Sequence, residues 1–129
     1  MPSMFEQVKE FHGTYGLDIN DIPVDMSEVK ESGLWQLRRN LVEEEYKEFM
    51  EAMDEGNIVK IADAICDLHY VLSGTSVSFG IPEDECFSEV QRSNMSKLMP
   101  DGSVLRRDDG KILKGPNFSE PDLVRILFF

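Results

Sequence analysis

The stretch LWQLRRNLVEEEYKEFMEAMDE, Leu34 to Glu55, decides the fold. Leu34, Leu37, Leu41 and Ala52 recur at helical spacing, and Val42, Phe49 and Met53 widen the stripe. Gly33 precedes the stretch, and Gly56 follows it as a residue suited to ending a helix. Stepping 100° per residue from Leu41 puts Glu48 about 20° from the centre of the apolar face, Glu45 about 40° and Glu44 about 60°. Three carboxylates therefore interrupt the stripe that should be packed. Glu43 points to the opposite side and reads as a solvated residue.

A second long helix follows, capped by Asn57 and running to about Val77. Ile58, Ile61, Ile65, Leu68 and Leu72 form one clean apolar face, and Asp63, Asp67, Tyr70 and Gly74 form the opposite one, flanked by Val59, Cys66 and Val71. A helix apolar on nearly all sides predicts cover on both faces, and in so small a chain it points to a second subunit. Two aspartates one turn apart are then expected in an interior or a cleft. Like charges about 5 Å apart repel by roughly 3 kcal/mol at an effective dielectric near 20, so Glu44, Glu45, Glu48, Asp63 and Asp67 require protonation, basic partners or a metal. Oxygen donors without His or Cys suit a hard divalent ion, Mg2+ or Mn2+.

Working outward, Met4 to Phe11 reads as a short helix ending at Gly13, and Asp18 to Asp25, with Pro23, as a loop. Gly80 and Pro82 break the chain, and Pro82-Glu83-Asp84-Glu85 opens a third long helix to about Leu98. Val104–Arg107 and Lys111–Leu113 are short extended runs around Asp109-Gly110, a hairpin signal. Asp122 to Phe129 is apolar, a short helix or a docking tail. The expectation is an all-α bundle of four to five helices with a small C-terminal hairpin or tail, residues 1–129 forming one domain.

The whole chain has 129 residues and a formal net charge of −12, which disfavours nucleic-acid polymers and anionic membranes as partners. Apolar runs are too short for a membrane-spanning helix, and the first ten residues lack the apolar core of a signal peptide. Two cysteines are too few for a disulfide framework, so a reducing, cytoplasmic setting is expected. The charge is uneven. Residues 43–67 carry nine acids and two bases, whereas residues 92–114 carry six bases and three acids. Acids suited to cations and bases suited to phosphates read as two halves of one site. Trp35 is expected to pack in the core, and His12 to have a capping or packing role.

The motif Glu44-Glu45-x-x-Glu48, followed at a matching interval by Asp63 and Asp67, resembles the MazG-like all-α nucleoside triphosphate pyrophosphohydrolases, the group that includes phosphoribosyl-ATP pyrophosphohydrolases. Phe11-His12, Tyr15-Gly16, Gly74-Thr75 and Phe79-Gly80-Ile81 are similar to a bacterial and phage branch. The more specific strings are Ser93-Asn94-Met95-Ser96-Lys97, the run from Asp109-Gly110-Lys111 to Lys114-Gly115-Pro116-Asn117-Phe118, and Pro121-Asp122-Leu123. The usual second motif, ExxD, is altered: Ala64 stands three residues before Asp67, and Asp63 four before it on the same helix face.

The resemblance implies hydrolysis of a nucleoside or deoxynucleoside triphosphate to the monophosphate and pyrophosphate, with purine deoxynucleotides (dGTP, dATP) favoured, in nucleotide-pool control. It implies that Glu45, Glu48, Asp63 and Asp67 hold Mg2+ or Mn2+ and that Glu44 takes a proton from water. Asn94, Lys97, Lys111 and Lys114 would bind substrate, with Tyr70, and Arg38 and Arg39 just before the acidic motif, as further candidates. It also implies a homodimer or homotetramer. Two rival readings remain: a non-enzymatic helical interaction module, and a phosphoribosyl-ATP pyrophosphohydrolase proper, over which the SNMSK and KGPN strings favour the nucleotide-pool branch.

Overall fold

A computed structural model describes residues 1–129. It contains six helices: α1 (Met4–Tyr15), α2 (Met26–Ser32), α3 (Leu34–Glu55), α4 (Ile58–Phe79), α5 (Glu83–Met95) and α6 (Leu123–Phe128). Contacts divide the chain into two compact units, Met1–Glu83 and Asp84–Phe129. None of the helices is long and apolar enough to cross a membrane.

In the first unit, α3 and α4 form an antiparallel pair, with α1 packed on α4 and α2 on α3. Gly56, at φ 68°, ends α3 with its N–H on the carbonyls of Ala52 and Met53, and the Asn57 side chain accepts from the N–H groups of Val59 and Lys60 to start α4. α1 runs through Gly13 and stops at Gly16, where φ is 69°. Gly13 retains right-handed helical geometry, so the first glycine is not the stop. α2 is an element that the periodicity did not announce. Asp25 caps it, and Gly33, at φ 84°, turns the chain directly into α3.

The buried face of α4 differs from the expected one. Ala64, Ser73, Gly74, Ser76, Val77 and Ser78 are buried, whereas Ile58 is 75% and Leu72 45% exposed. Small side chains allow close backbone approach. The 17–25 loop lies against the end of α4, with the Asn20 N–H on the Val77 carbonyl, the Val24 N–H on the Phe79 carbonyl (both 3.0 Å), and the Asn20 side-chain amide on the Ser78 carbonyl at 2.7 Å. On the bulky apolar face of α4, Ile61 and Leu68 are half-buried, and Ile58, Ile65 and Leu72 are exposed. His12 fulfils its packing role: it is 3% exposed, and its Nδ1 lies 2.9 Å from the Asp18 carbonyl oxygen.

In the second unit, Glu89 is buried and anchors the C-terminal segment. Arg92 donates to both its oxygens at 2.8 and 2.9 Å, and the Asp122 N–H donates at 2.6 Å. The Arg92 hydrogen bonds, with that of Asp122, hold the Glu89 carboxyl down to about 2. Asp122 in turn caps α6. Helix α5 ends at Met95 rather than Leu98: the Ser96 and Lys97 N–H groups bond three residues back, to the Ser93 and Asn94 carbonyls, in tight turns. The expected hairpin contracts to one antiparallel bridge, Arg106 to Ile112, around Gly110 at φ 91°. Two exposed runs of three or four residues have no third strand or helix face to support them.

Gly80 has φ 70°, and a Cβ there would overlap the Ile22 carbonyl, whereas Gly56 has a similar φ with open space around it. Gly56→Ala is expected to cost roughly the 1–2 kcal/mol of a left-handed residue, and Gly80→Ala clearly more. Urea unfolding of the two variants checks the order.

Candidate active site

Glu45 and Glu48 lie one turn apart on α3, facing Asp67 of α4, and one carboxylate oxygen from each lies within 4.8 Å of the others. The helix pairing produces this convergence, since the 22-residue helices run back on each other through a two-residue connection. No cation joins the cluster. Lys47 pairs with Glu43 at 2.9 Å and Lys60 with Glu55 at 2.8 Å, both at exposed positions. Glu43 is thus the solvated residue its helical position predicts.

The cluster is electrostatically unfavourable when ionised. Burial, the adjoining Glu48 carboxyl, and the charges of Asp67 and Glu44 push the Glu45 carboxyl above its ordinary range. Burial and the charges of Asp63 and Glu48 push Asp67 up as well. Glu45 Oε2 is buried without a hydrogen-bond partner. An orphaned carboxylate oxygen beside two converging carboxylates fits a hard divalent cation, which takes oxygen donors and cancels their repulsion.

Of the expected site residues, the structure brings together Glu45, Glu48 and Asp67. Asp63 lies outside that trio, but it is near enough to act on Asp67 and shares a hollow of about 280 Å³ with Glu48. Glu44 is exposed and acts on Glu45 through its charge. The five acids are not buried deeply as a group: Glu45 is half-buried, and Glu44, Glu48 and Asp63 are exposed. Tyr70 sets its ring edge-on to Phe11 of α1, with centroids 5.4 Å apart. In the second unit the Gly115 N–H donates to the Lys97 carbonyl at 2.9 Å, so the SNMSK and KGPN strings adjoin there. Lys114 Nζ lies 4.5 Å above the Phe118 ring. Asn94 and Lys111 are exposed.

Arg38 is a buried cation, 6% exposed, donating from Nε to Thr75 Oγ1 at 3.2 Å and from Nη2 to the Val71 carbonyl at 2.8 Å. Burial alone pulls its guanidinium below its ordinary value. Periodicity could place Arg38 on the α3 stripe but could not show its partners. Trp35 is half-buried rather than core, with Arg39 4.9 Å and Lys30 5.6 Å from its ring centroid.

Comparison with known proteins assigns the class. The sequence model of the phosphoribosyl-ATP pyrophosphohydrolase family matches residues 8–94, which include α3, α4 and the acidic cluster. The chain belongs to that family. It is 32% identical over 80 residues to the uncharacterised protein L479 of Acanthamoeba polyphaga mimivirus, a match covering 62% of this chain and 32% of that protein. The chain thus spans about a third of the length of this curated relative. A crystal structure of a candidate NTP pyrophosphohydrolase from Exiguobacterium sp. 255-15 aligns with 94% of this chain and 90% of its own, at 23% identity and a TM-score of 0.46.

The raised carboxyls set the sign of a pH effect. A native-state carboxyl with an elevated pKa binds more protons than the unfolded chain does, so its ionisation destabilises the fold as pH rises. Without divalent ions, a Glu45→Gln/Asp67→Asn variant is expected to melt above wild type at pH 7.5, and the gap should close as pH falls towards the carboxylate range. Mg2+ or Mn2+ at a hundred times its dissociation constant should stabilise wild type by about 2.7 kcal/mol and leave the variant unmoved. Thermal melts with and without chelator measure both effects; a wild type indifferent to either ion removes the metal assignment.

Proposed function

We propose that residues 1–129 act as one pyrophosphohydrolase domain that cleaves a nucleoside triphosphate to the monophosphate and pyrophosphate, with a purine deoxynucleotide as the favoured substrate. The observation that carries this reading is the convergence of Glu45, Glu48 and Asp67 around an unpartnered buried oxygen, in a chain of this family. Those three residues would hold Mg2+ or Mn2+, with Asp63 beside Asp67 as the candidate fourth ligand. A bound ion of this kind neutralises phosphate charge and makes a coordinated water more acidic. Glu44, exposed beside Glu45, accepts the proton of the attacking water. Asn94, Lys97, Lys111 and Lys114 bind phosphates, and Tyr70 contacts the nucleoside. The setting is the nucleotide pool of a bacterial or phage-infected cytoplasm.

The working form is a homodimer or homotetramer. Its support is the pair Ile58 and Ile65, both more than 40% exposed along one face of α4. Light scattering at micromolar concentration is expected to give a dimer or larger; a monomer would refute the assembly. A second reading, in which phosphoribosyl-ATP itself is the substrate, is favoured by the family description alone.

One panel separates these readings. The eight common ribo- and deoxyribonucleoside triphosphates and phosphoribosyl-ATP are offered with Mg2+ or Mn2+, and the products are identified as monophosphate or diphosphate. Monophosphate with pyrophosphate is expected from at least one purine deoxynucleotide. Glu48→Gln and Asp67→Asn should each lower turnover by roughly a hundredfold or more, as metal stabilisation of a transition state is worth several kcal/mol, while helical circular dichroism is retained. Turnover of no substrate would leave the non-enzymatic interaction module.

A further inference from the structure

A groove of about 850 Å³ runs along α3 and α4, lined in part by Trp35, Arg38, Arg39, Val42, Leu72 and Thr75. Its walls are largely apolar, and its charged lining is two arginines and one glutamate, unlike the all-acidic cluster on the same two helices. In a chain of net charge −12, Arg38 and Arg39 border this groove, and Lys30 joins Arg39 over the Trp35 ring. Glu43, the acidic residue of the lining, is engaged with Lys47.

Arg38 is the centre of this region. It forms no ion pair although it is 6% exposed. A buried guanidinium without a counter-ion is costly, yet its placement is tightly specified. One edge, Nε and Nη2, is bound to Thr75 and Val71. A Cβ on Gly74 would overlap Nη2 and lie 3.1 Å from His12 Nε2, so only glycine leaves room for this guanidinium. Nη1 makes no hydrogen bond and belongs to the residue that borders the groove. A planar fork with one edge fixed and a donor left over suits an oxyanion. Arg38 lies seven residues, or two turns and about 10 Å, along α3 from Glu45.

We propose that this groove is a phosphate site in which Arg38, seated over Gly74 and assisted by Arg39, receives the distal end of the substrate's phosphate chain. The assignment rests on the pyrophosphohydrolase reading for the identity of the chain, but the oxyanion chemistry of the groove stands apart from it. Phosphate is assigned to the Arg38–Arg39 end of the groove, where the cations lie, and not to its apolar walls of Met26, Val42, Leu68, Leu72 and Phe79.

The test uses inorganic pyrophosphate as probe, with Trp35, the single tryptophan, as reporter. Binding is followed by tryptophan emission and by calorimetry, in wild type and in the Glu48→Gln/Asp67→Asn variant, which lacks two of the cluster's acids. Both are expected to bind pyrophosphate with a change in emission. Arg38→Gln, Gly74→Ala and the exposed Arg39→Gln should each weaken binding, Arg38→Gln by about tenfold or more, the worth of a charge-assisted hydrogen bond. With a nucleotide that is turned over, the same substitutions should raise KM more than they lower kcat. Turnover with unchanged KM in Arg39→Gln and in folded Arg38→Gln, and no pyrophosphate-dependent emission, would overturn the groove and leave the enzyme reading intact. Arg38-dependent pyrophosphate binding without turnover of any triphosphate would support the groove and refute the enzyme reading.

Discussion

Three carboxylates face one another across α3 and α4, and no basic side chain is paired with them. Helix pairing forces Glu45 and Glu48 towards Asp67, within 4.8 Å. The nearby lysines are engaged elsewhere, on Glu43 and Glu55. With one oxygen left orphaned, the arrangement fits a hard cation, whose charge would offset the repulsion.

The other end of the same helix pair carries the opposite charge. Arg38 is buried against Val71 and Thr75 over a notch that exists because residue 74 is glycine. Acids two turns away and cations at this end share two rigid helices, so their separation depends on helix geometry rather than on a flexible loop. The small buried residues of α4 serve this arrangement as well: they admit the 17–25 loop and His12 close to the backbone. The consequence is an unusual distribution of apolar surface, with Ile58 and Leu72 outside and serines inside.

Much of the architecture was legible from local pattern. The limits of α3 and α4 follow from Gly33, Gly56 and Asn57, whose conformational and hydrogen-bonding properties act within a few residues. The position of Glu43 away from the cluster follows from helical periodicity alone. Other features were not legible. α1 passes through Gly13, since a single glycine costs a helix only about 1 kcal/mol, and stops at Gly16, which takes the left-handed cap. α2 is seven residues long, too short for a periodic signal. The extended runs around Asp109-Gly110 possess the turn chemistry but lack a supporting surface, and they yield a single bridge.

For the site, the sequence by itself determined that acids interrupt an apolar helical stripe and that a second acidic pair follows on the next helix. That information is contained in a 100° step and needs no neighbour. Which aspartate joins the glutamates, Asp67 rather than Asp63, was decided by the axial register between α3 and α4, and a single strand of periodicity carries no register. The same holds for Arg38, whose burial against Gly74 depends on two residues 36 positions apart meeting at one level of the helix pair. The identity of the covered face of α4 was also a tertiary decision, because close approach rewards small side chains where local hydrophobicity favours large ones.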